Sequence, residues 1–140
     1  MLNLDLSRDL TEFCEYLVDM AKRDLAISHD IEAPEVKVFN GATLPGEDSD
    51  SVGTYDPAEN EILIANDLEA DGWQEYGDYA GSPVIGTVNH CSGYDRLHYI
   101  LLHELAHWMT DHVTRNYDHR HTLNFKVCYA YLRLRAETLR

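Results

Sequence analysis

The 140-residue sequence has few cysteines, few basic residues and no long apolar run. No stretch approaches the roughly 18 apolar residues of a membrane-spanning helix, and no basic segment followed by an apolar one opens the chain. We therefore expect neither a membrane span nor a secretory signal. The three cysteines, Cys14, Cys91 and Cys128, are odd in number and widely spaced. This pattern favours reduced thiols in a cytoplasmic protein over a disulfide framework.

Basic residues are scarce relative to acidic ones. Eleven Lys and Arg against 25 Asp and Glu give a formal net charge of −14 at pH 7. Such a surface lacks the basic footprint of nucleic-acid-binding proteins, which argues against direct binding to nucleic acid. An acidic surface of this kind favours solubility. It would also favour binding to a basic protein partner, or mimicry of DNA. The length and the 44% hydrophobic content predict a single domain over residues 1–140.

The first half of the chain predicts one helix and one strand. Apolar residues at spacings of three and four predict an N-terminal helix from about Asp5 to Ile27, capped by Asp5 or Ser7. The alternation of Val36 and Val38 predicts a short strand over Glu35–Phe39.

The middle of the chain predicts a hairpin and a loop. The runs Ser51–Tyr55 and Glu61–Ala65 flank a turn-forming segment that contains Pro57 and Asn60, so we expect an antiparallel hairpin. The glycine-rich stretch 66–93 is interpreted as a loop that covers the functional site. Together these elements predict a small antiparallel sheet in an α+β fold.

Two helices are predicted in the C-terminal part. Ser92–Asp95 resembles a capping box ahead of an apolar run that extends from Tyr94 to Val113. The core-facing stripe of that helix should be Leu97, Leu101, Leu105 and Trp108. A last helix is predicted from about His119 to Leu139, with the buried face Leu123, Val127, Tyr131 and Leu134.

One pentapeptide carries most of the functional information. His103, Glu104 and His107 form an H-E-x-x-H motif inside a predicted helix, where positions i and i+4 place both imidazoles on one face. Two neutral histidines so placed can bind one Zn²⁺, and Glu104 can take a proton from a metal-bound water. The alternative is a chance match, which shuffled chains of this composition give roughly a few times in a hundred.

A catalytic zinc site needs a third protein ligand. The candidates after the motif are the histidines His112, His119 and His121 and the carboxylates Asp111, Asp118 and Glu137. His112 is rotated off the face of the first two histidines and should be exposed. Asp111 could orient His107, although a solvated helix charge is the favoured interpretation. His121 opens the next helix, whose first turn can reach the metal, and His119 has nearly the same reach.

The pattern resembles the SprT-like (Spartan) zincin metallopeptidases, in which an H-G-x-x-F-type segment follows the H-E-x-x-H helix. His103–Trp108 matches the first segment and His121–Lys126 the second, with Thr122 where the family usually has glycine. The hairpin that ends in Glu61–Asn66 is also similar to the one ahead of the family's helix. The resemblance implies a minimal zincin-like fold. It also implies Glu104 as catalytic base and Zn²⁺ held by His103, His107 and His121.

Two functions follow from these observations. The first is a zinc metalloendopeptidase that acts on a protein or peptide substrate, with Glu104 as the general base. The second is a non-catalytic acidic binding or inhibitor protein, antirestriction-like or a DNA mimic, on a zincin scaffold. The chain is also similar to antirestriction proteins with an H-E-L-A-H zincin domain. A further similarity, to ImmA/IrrE-type peptidases, would make Glu137 the third ligand.

Overall fold

The computed structural model describes residues 1–46, 51–68, 93–115 and 121–138, with side chains up to residue 136. The elements are strand β1 (Leu2–Asn3), helix α1 (Leu4–Asp24), strands β2 (Glu35–Asn40), β3 (Gly53–Asp56) and β4 (Glu61–Asn66), and helices α2 (Gly93–Met109) and α3 (Leu123–Thr138). A π-helical turn, Thr110–Thr114, extends α2. Within these ranges, three α-helices and one four-stranded sheet confirm the predicted α+β class.

Helix α1 is shifted toward the N-terminus relative to its predicted range. Its N-cap is Asn3, whose side-chain oxygen accepts a hydrogen bond from the Leu6 amide at 3.1 Å, so the predicted caps Asp5 and Ser7 are wrong. The helix starts early because Asn3 pairs with Val38 in β1 and then turns, which leaves its side chain free to cap. Ser7 fastens the helix to the sheet instead, since its hydroxyl accepts from the Val38 amide at 2.8 Å.

The sheet is mixed, which corrects the prediction of an antiparallel one. Its strand order is β1-β2-β4-β3. Strands β3 and β4 form the predicted antiparallel hairpin, but β2 pairs with β4 in parallel, with Val36 opposite Ile62 and Val38 opposite Ile64. All four side chains are buried. Side chains alternate with the same period in both kinds of pairing, so the sequence pattern could not give the strand direction.

Helix α2 packs against β3 and β4 and carries the H-E-x-x-H motif. Its predicted core stripe is confirmed, since Leu97, Leu101, Leu105 and Trp108 are all buried. The regular helix ends at Met109, and after the π-helical turn Arg115 adopts a left-handed conformation with φ 55°. That residue ends the helix close to where the sequence predicted. Ser92, the first residue of the predicted capping box, lies outside the described residues.

The predicted buried face of α3 is wrong. Leu123, Val127 and Leu134 are 75%, 61% and 57% exposed, and Tyr131 is only partly buried. The opposite face packs on the core through Phe125, Cys128, Tyr129, Leu132 and Ala136. Apolar residues recur at helical spacing on both faces of this helix, so periodicity alone could not choose between them. Packing against α2 selects the second face.

Two further expectations concern the thiols and the membrane. Cys14 and Cys128 are free thiols buried in the core, as predicted, and Cys91 lies outside the described residues. In the described part of the chain, no helix combines the length and the apolar character needed to cross a membrane.

Candidate metal centre

Helix α2 presents His103 and His107 one turn apart on the same face. Their ring centroids are 5.5 Å apart, and His103 is only 3% exposed. This is the separation expected for side chains at positions i and i+4 of a helix. The α-helix is regular through the motif, because the π-helical turn begins only at Thr110.

His121, the third histidine that the family resemblance implies, approaches His103 and His107 from the segment just before α3. It lies two residues before α3, and its Nε2 atom is 3.0 Å from Nε2 of His103. One ligand atom from each of His103, His107 and His121 lies within 4.8 Å of the other two. Thr122 caps α3, since its hydroxyl accepts a hydrogen bond from the Phe125 amide at 3.3 Å. The residue that departs from the glycine of the SprT-like pattern therefore fixes the start of the helix beside His121.

Phe125 contacts all three imidazoles. Its ring centroid lies 5.0 Å from that of His103, 4.4 Å from that of His107 and 4.8 Å from that of His121. The ring is fully buried, and the ring of Tyr129 stacks on it one helical turn further on. Imidazoles that pack against a buried ring have little rotational freedom. The three histidines are therefore preorganised by packing.

Burial also governs protonation at this site. Burial, followed by the neighbouring His107 and His121, lowers the pKa of His103 to about 3. The imidazole is therefore neutral at pH 7, which is the form that binds a metal. Burial raises the pKa of Glu104 to about 8. A cation among the three imidazoles would oppose that shift, since a nearby positive charge favours the ionised carboxylate.

The side chain of Glu104 extends from α2 to the edge strand β3. It is 7% exposed and lies against the backbone of Gly53, the first residue of β3. Strand β3 forms the end of the sheet order, so Glu104 sits where the sheet meets α2. No sequence pattern indicates this contact, because Gly53 stands in a Val-Gly-Thr segment that carries no recognisable motif.

Two predictions about the end of α2 are corrected. Asp111 is 2% exposed, so its interpretation as a solvated helix charge is wrong. The irregular π-helical turn carries it inward, and together with burial its charge raises the pKa of the Tyr55 hydroxyl on β3. His112 was predicted to be exposed but is partly buried, with its ring centroid 4.9 Å from that of Trp108.

The remaining candidates for a third ligand fall outside the described part of the chain. His119 and Asp118 belong to residues 116–120, and the side chain of Glu137 is also outside it. The same holds for most of the predicted covering loop, 66–93. Among the described side chains, His103, His107 and His121 are the group that could hold a metal ion.

Comparison of the chain with protein-family models, with curated proteins and with solved structures gives no match. The side chains of this site and the resemblance of its motifs are therefore the basis for a proposed function.

Proposed function

We propose that the protein is a zinc-dependent metallopeptidase related to the SprT-like zincins. The observation that carries the proposal is the convergence of three histidine ligand atoms within 4.8 Å of one another, next in sequence to a buried glutamate. Histidine and glutamate in this arrangement are the parts that metal-assisted hydrolysis requires. His103, His107 and His121 would be the ligands and Glu104 the general base.

The three histidines fit zinc by their chemistry and spacing. Two nitrogen ligands of a tetrahedral zinc, each about 2.0 Å from the metal, are roughly 3.3 Å apart. The Nε2 atoms of His103 and His121 are 3.0 Å apart, close to that separation, and the ligand atoms of all three histidines lie within 4.8 Å of one another. The low pKa of His103 keeps this ligand neutral without competition from protons at pH 7. Three protein ligands also leave the fourth position open, as in catalytic rather than structural sites.

In this mechanism, Glu104 is the residue that transfers the proton. A bound zinc would polarise the substrate carbonyl and bring the pKa of a water ligand to about 7. Glu104 would accept the proton of the attacking water on a carboxylate oxygen and deliver it to the leaving nitrogen. Burial makes the ionised Glu104 carboxylate a stronger base, and a cation held by the three histidines would favour the ionised form in which it can accept the proton.

The edge of the sheet offers a place for an extended substrate. Among the described residues no strand pairs with the outer edge of β3, and Glu104 lies against the beginning of that strand. A peptide segment could add to β3 as a further strand, held by backbone hydrogen bonds. Recognition of this kind depends little on side chains.

Substitution of Glu104 tests the proposal. The Glu104→Gln protein should retain one zinc per chain and lose hydrolysis of fluorescein-labelled casein by at least about a hundredfold, the usual contribution of a general base. Glu12→Gln is the matched control, because it removes one exposed acidic charge on α1. Unchanged hydrolysis in Glu104→Gln would refute the assigned role.

A second candidate is a non-catalytic acidic binding protein on the same scaffold. One observation favours it: α1 exposes six acidic residues, Asp5, Asp9, Glu12, Glu15, Asp19 and Asp24, on a chain of net charge −14. Such a surface could bind a basic protein or imitate DNA. The two functions make opposite predictions. Charge reversal on α1 should abolish a binding function and leave hydrolysis intact, and Glu104→Gln should do the reverse.

A further inference from the structure

The first residue of β3 has no room for a side chain. A Cβ atom at Gly53 would lie 2.7 Å from Cγ2 of Ile100, 3.2 Å from Oε2 of Glu104 and 3.3 Å from its Cγ. The first separation is below the distances that real Cβ atoms show, and the other two would require Glu104 to move by a few tenths of an ångström. The φ angle of Gly53 is outside the left-handed region, so any residue could adopt this backbone. Space, not conformation, requires glycine here.

The missing side chain allows β3 to approach α2 closely at one point. Gly53 is held in place by its antiparallel pairing with Ile64 of β4, and α2 packs against both strands. The backbone of Gly53 therefore forms one wall of the space that the Glu104 side chain occupies. A glutamate side chain is long and rotatable, so a rigid wall on one side narrows its range of positions.

We propose that Gly53 is a positioning residue for Glu104: the bare backbone of the edge strand fixes the location of the carboxylate. This inference rests on the proposed function, in which Glu104 acts as the general base. Small displacements matter in that role, since misplacement of a reacting group by about 1 Å can reduce the rate by about a hundredfold. The three atoms nearest to a Cβ at Gly53 belong to Ile100 and Glu104 and not to the histidines, so we expect its effect on the base to be separable from metal binding.

The contact with Ile100 can be separated from the contact with Glu104. Leucine has no Cγ2 branch at Cβ and nearly the same volume as isoleucine, so Ile100→Leu removes the atom in closest conflict. In the double variant Gly53→Ala/Ile100→Leu, the packing conflict is relieved and the conflict with the glutamate remains. Ile100→Leu alone is the matched control.

The test compares wild type, Ile100→Leu, Gly53→Ala and the double variant as zinc-loaded proteins. Zinc content, the urea midpoint, and kcat and KM on a quenched fluorescent peptide taken from casein are measured for each. We expect one zinc per chain throughout and a urea midpoint for the double variant close to that of Ile100→Leu. In the double variant kcat should fall about three- to tenfold, with KM within about twofold of the control. A double variant with the kcat of Ile100→Leu would overturn the proposal, as would a fall in kcat matched by loss of zinc.

Crystal structures of the double variant and of Ile100→Leu provide a readout that does not depend on activity. The carboxylate of Glu104 should be displaced by a few tenths of an ångström or more in the double variant. An unmoved carboxylate refutes the role of Gly53 even if the protein is a peptidase. Conversely, a zinc-loaded wild type that cleaves no casein peptide refutes the proposed function, while the displacement still decides whether Gly53 positions Glu104.

Discussion

Replacing Phe125 with leucine should weaken zinc binding and also lower the free energy of unfolding. The Phe125 ring is fully buried and lies within 5.0 Å, centroid to centroid, of all three imidazoles. Leucine keeps the apolar bulk but leaves the imidazoles without the flat surface that restricts their rotation. The ligands would then have to be ordered when the metal binds, at a cost in affinity.

The magnitudes of the two effects can be estimated separately. Phe→Ala in a core costs about 3–5 kcal/mol, so the smaller change to leucine should lower the free energy of unfolding by about 1–2 kcal/mol. Loss of groups that orient metal ligands typically weakens metal binding by about 10–100-fold, and we expect a rise in the zinc Kd of that size. Competition with a chromophoric chelator measures the Kd, and urea unfolding of the metal-free protein measures stability.

Leu132→Ala is the control for a purely structural effect. Leu132 is fully buried on the same face of α3, about two helical turns beyond Phe125, and its truncation should cost about 2–5 kcal/mol. It should nevertheless leave the zinc Kd of the folded protein nearly unchanged. A Phe125→Leu protein with wild-type zinc affinity would refute the inference that this ring preorganises the site. Equal weakening by both variants would assign the effect to general loss of packing.

Three further predictions address the ligand, the base and the frame of the site. His121→Ala should raise the zinc Kd by more than about a hundredfold, beyond the effect of an orienting group, as read by the same chelator competition; an unchanged Kd would exclude His121 as a ligand. In metal-free protein, the folded state keeps the Glu104 proton up to pH about 8 while the unfolded state releases it near pH 4.5, so the contribution of Glu104 to stability should fall as pH rises between these values. In urea unfolding, the stability of Glu104→Gln should therefore rise relative to that of wild type over this range, and parallel pH dependences would contradict the raised pKa. Ser7→Ala leaves the buried Val38 amide without its hydroxyl acceptor and should cost about 1–3 kcal/mol in urea unfolding without changing zinc affinity; a wild-type urea midpoint would contradict the bond.

The sequence predicted the parts of the fold that depend on local pattern. The core stripe of α2, the hairpin of β3 and β4 and the strand β2 follow from spacing, and the structure agrees with them. The direction of β2 and the buried face of α3 depend on which elements meet in three dimensions. Leu123 and Phe125 are equally plausible core residues by spacing, and only the approach of α3 to α2 decides between them.

The same division applies to the candidate site. One motif predicted His103, Glu104 and His107. The position of His121 before the next helix, together with the family resemblance, predicted the third histidine. The burial of Asp111 follows from the π-helical turn, which no spacing rule indicates. Gly53 is separated from Glu104 by more than fifty positions, and its contact exists only because β3 occupies the edge of the sheet.

The proposed function requires that His103, His107 and His121 together hold one zinc ion. Native mass spectrometry of the protein purified without added metal, combined with X-ray absorption at the zinc edge, measures whether they do. We predict one zinc per chain, with three nitrogen ligands at about 2.0–2.1 Å and one oxygen ligand. Replacement of any of the three histidines by alanine should reduce the nitrogen count or remove the metal. A wild-type protein without zinc, or one whose zinc content and ligands are unchanged by these substitutions, would refute the proposed zinc site.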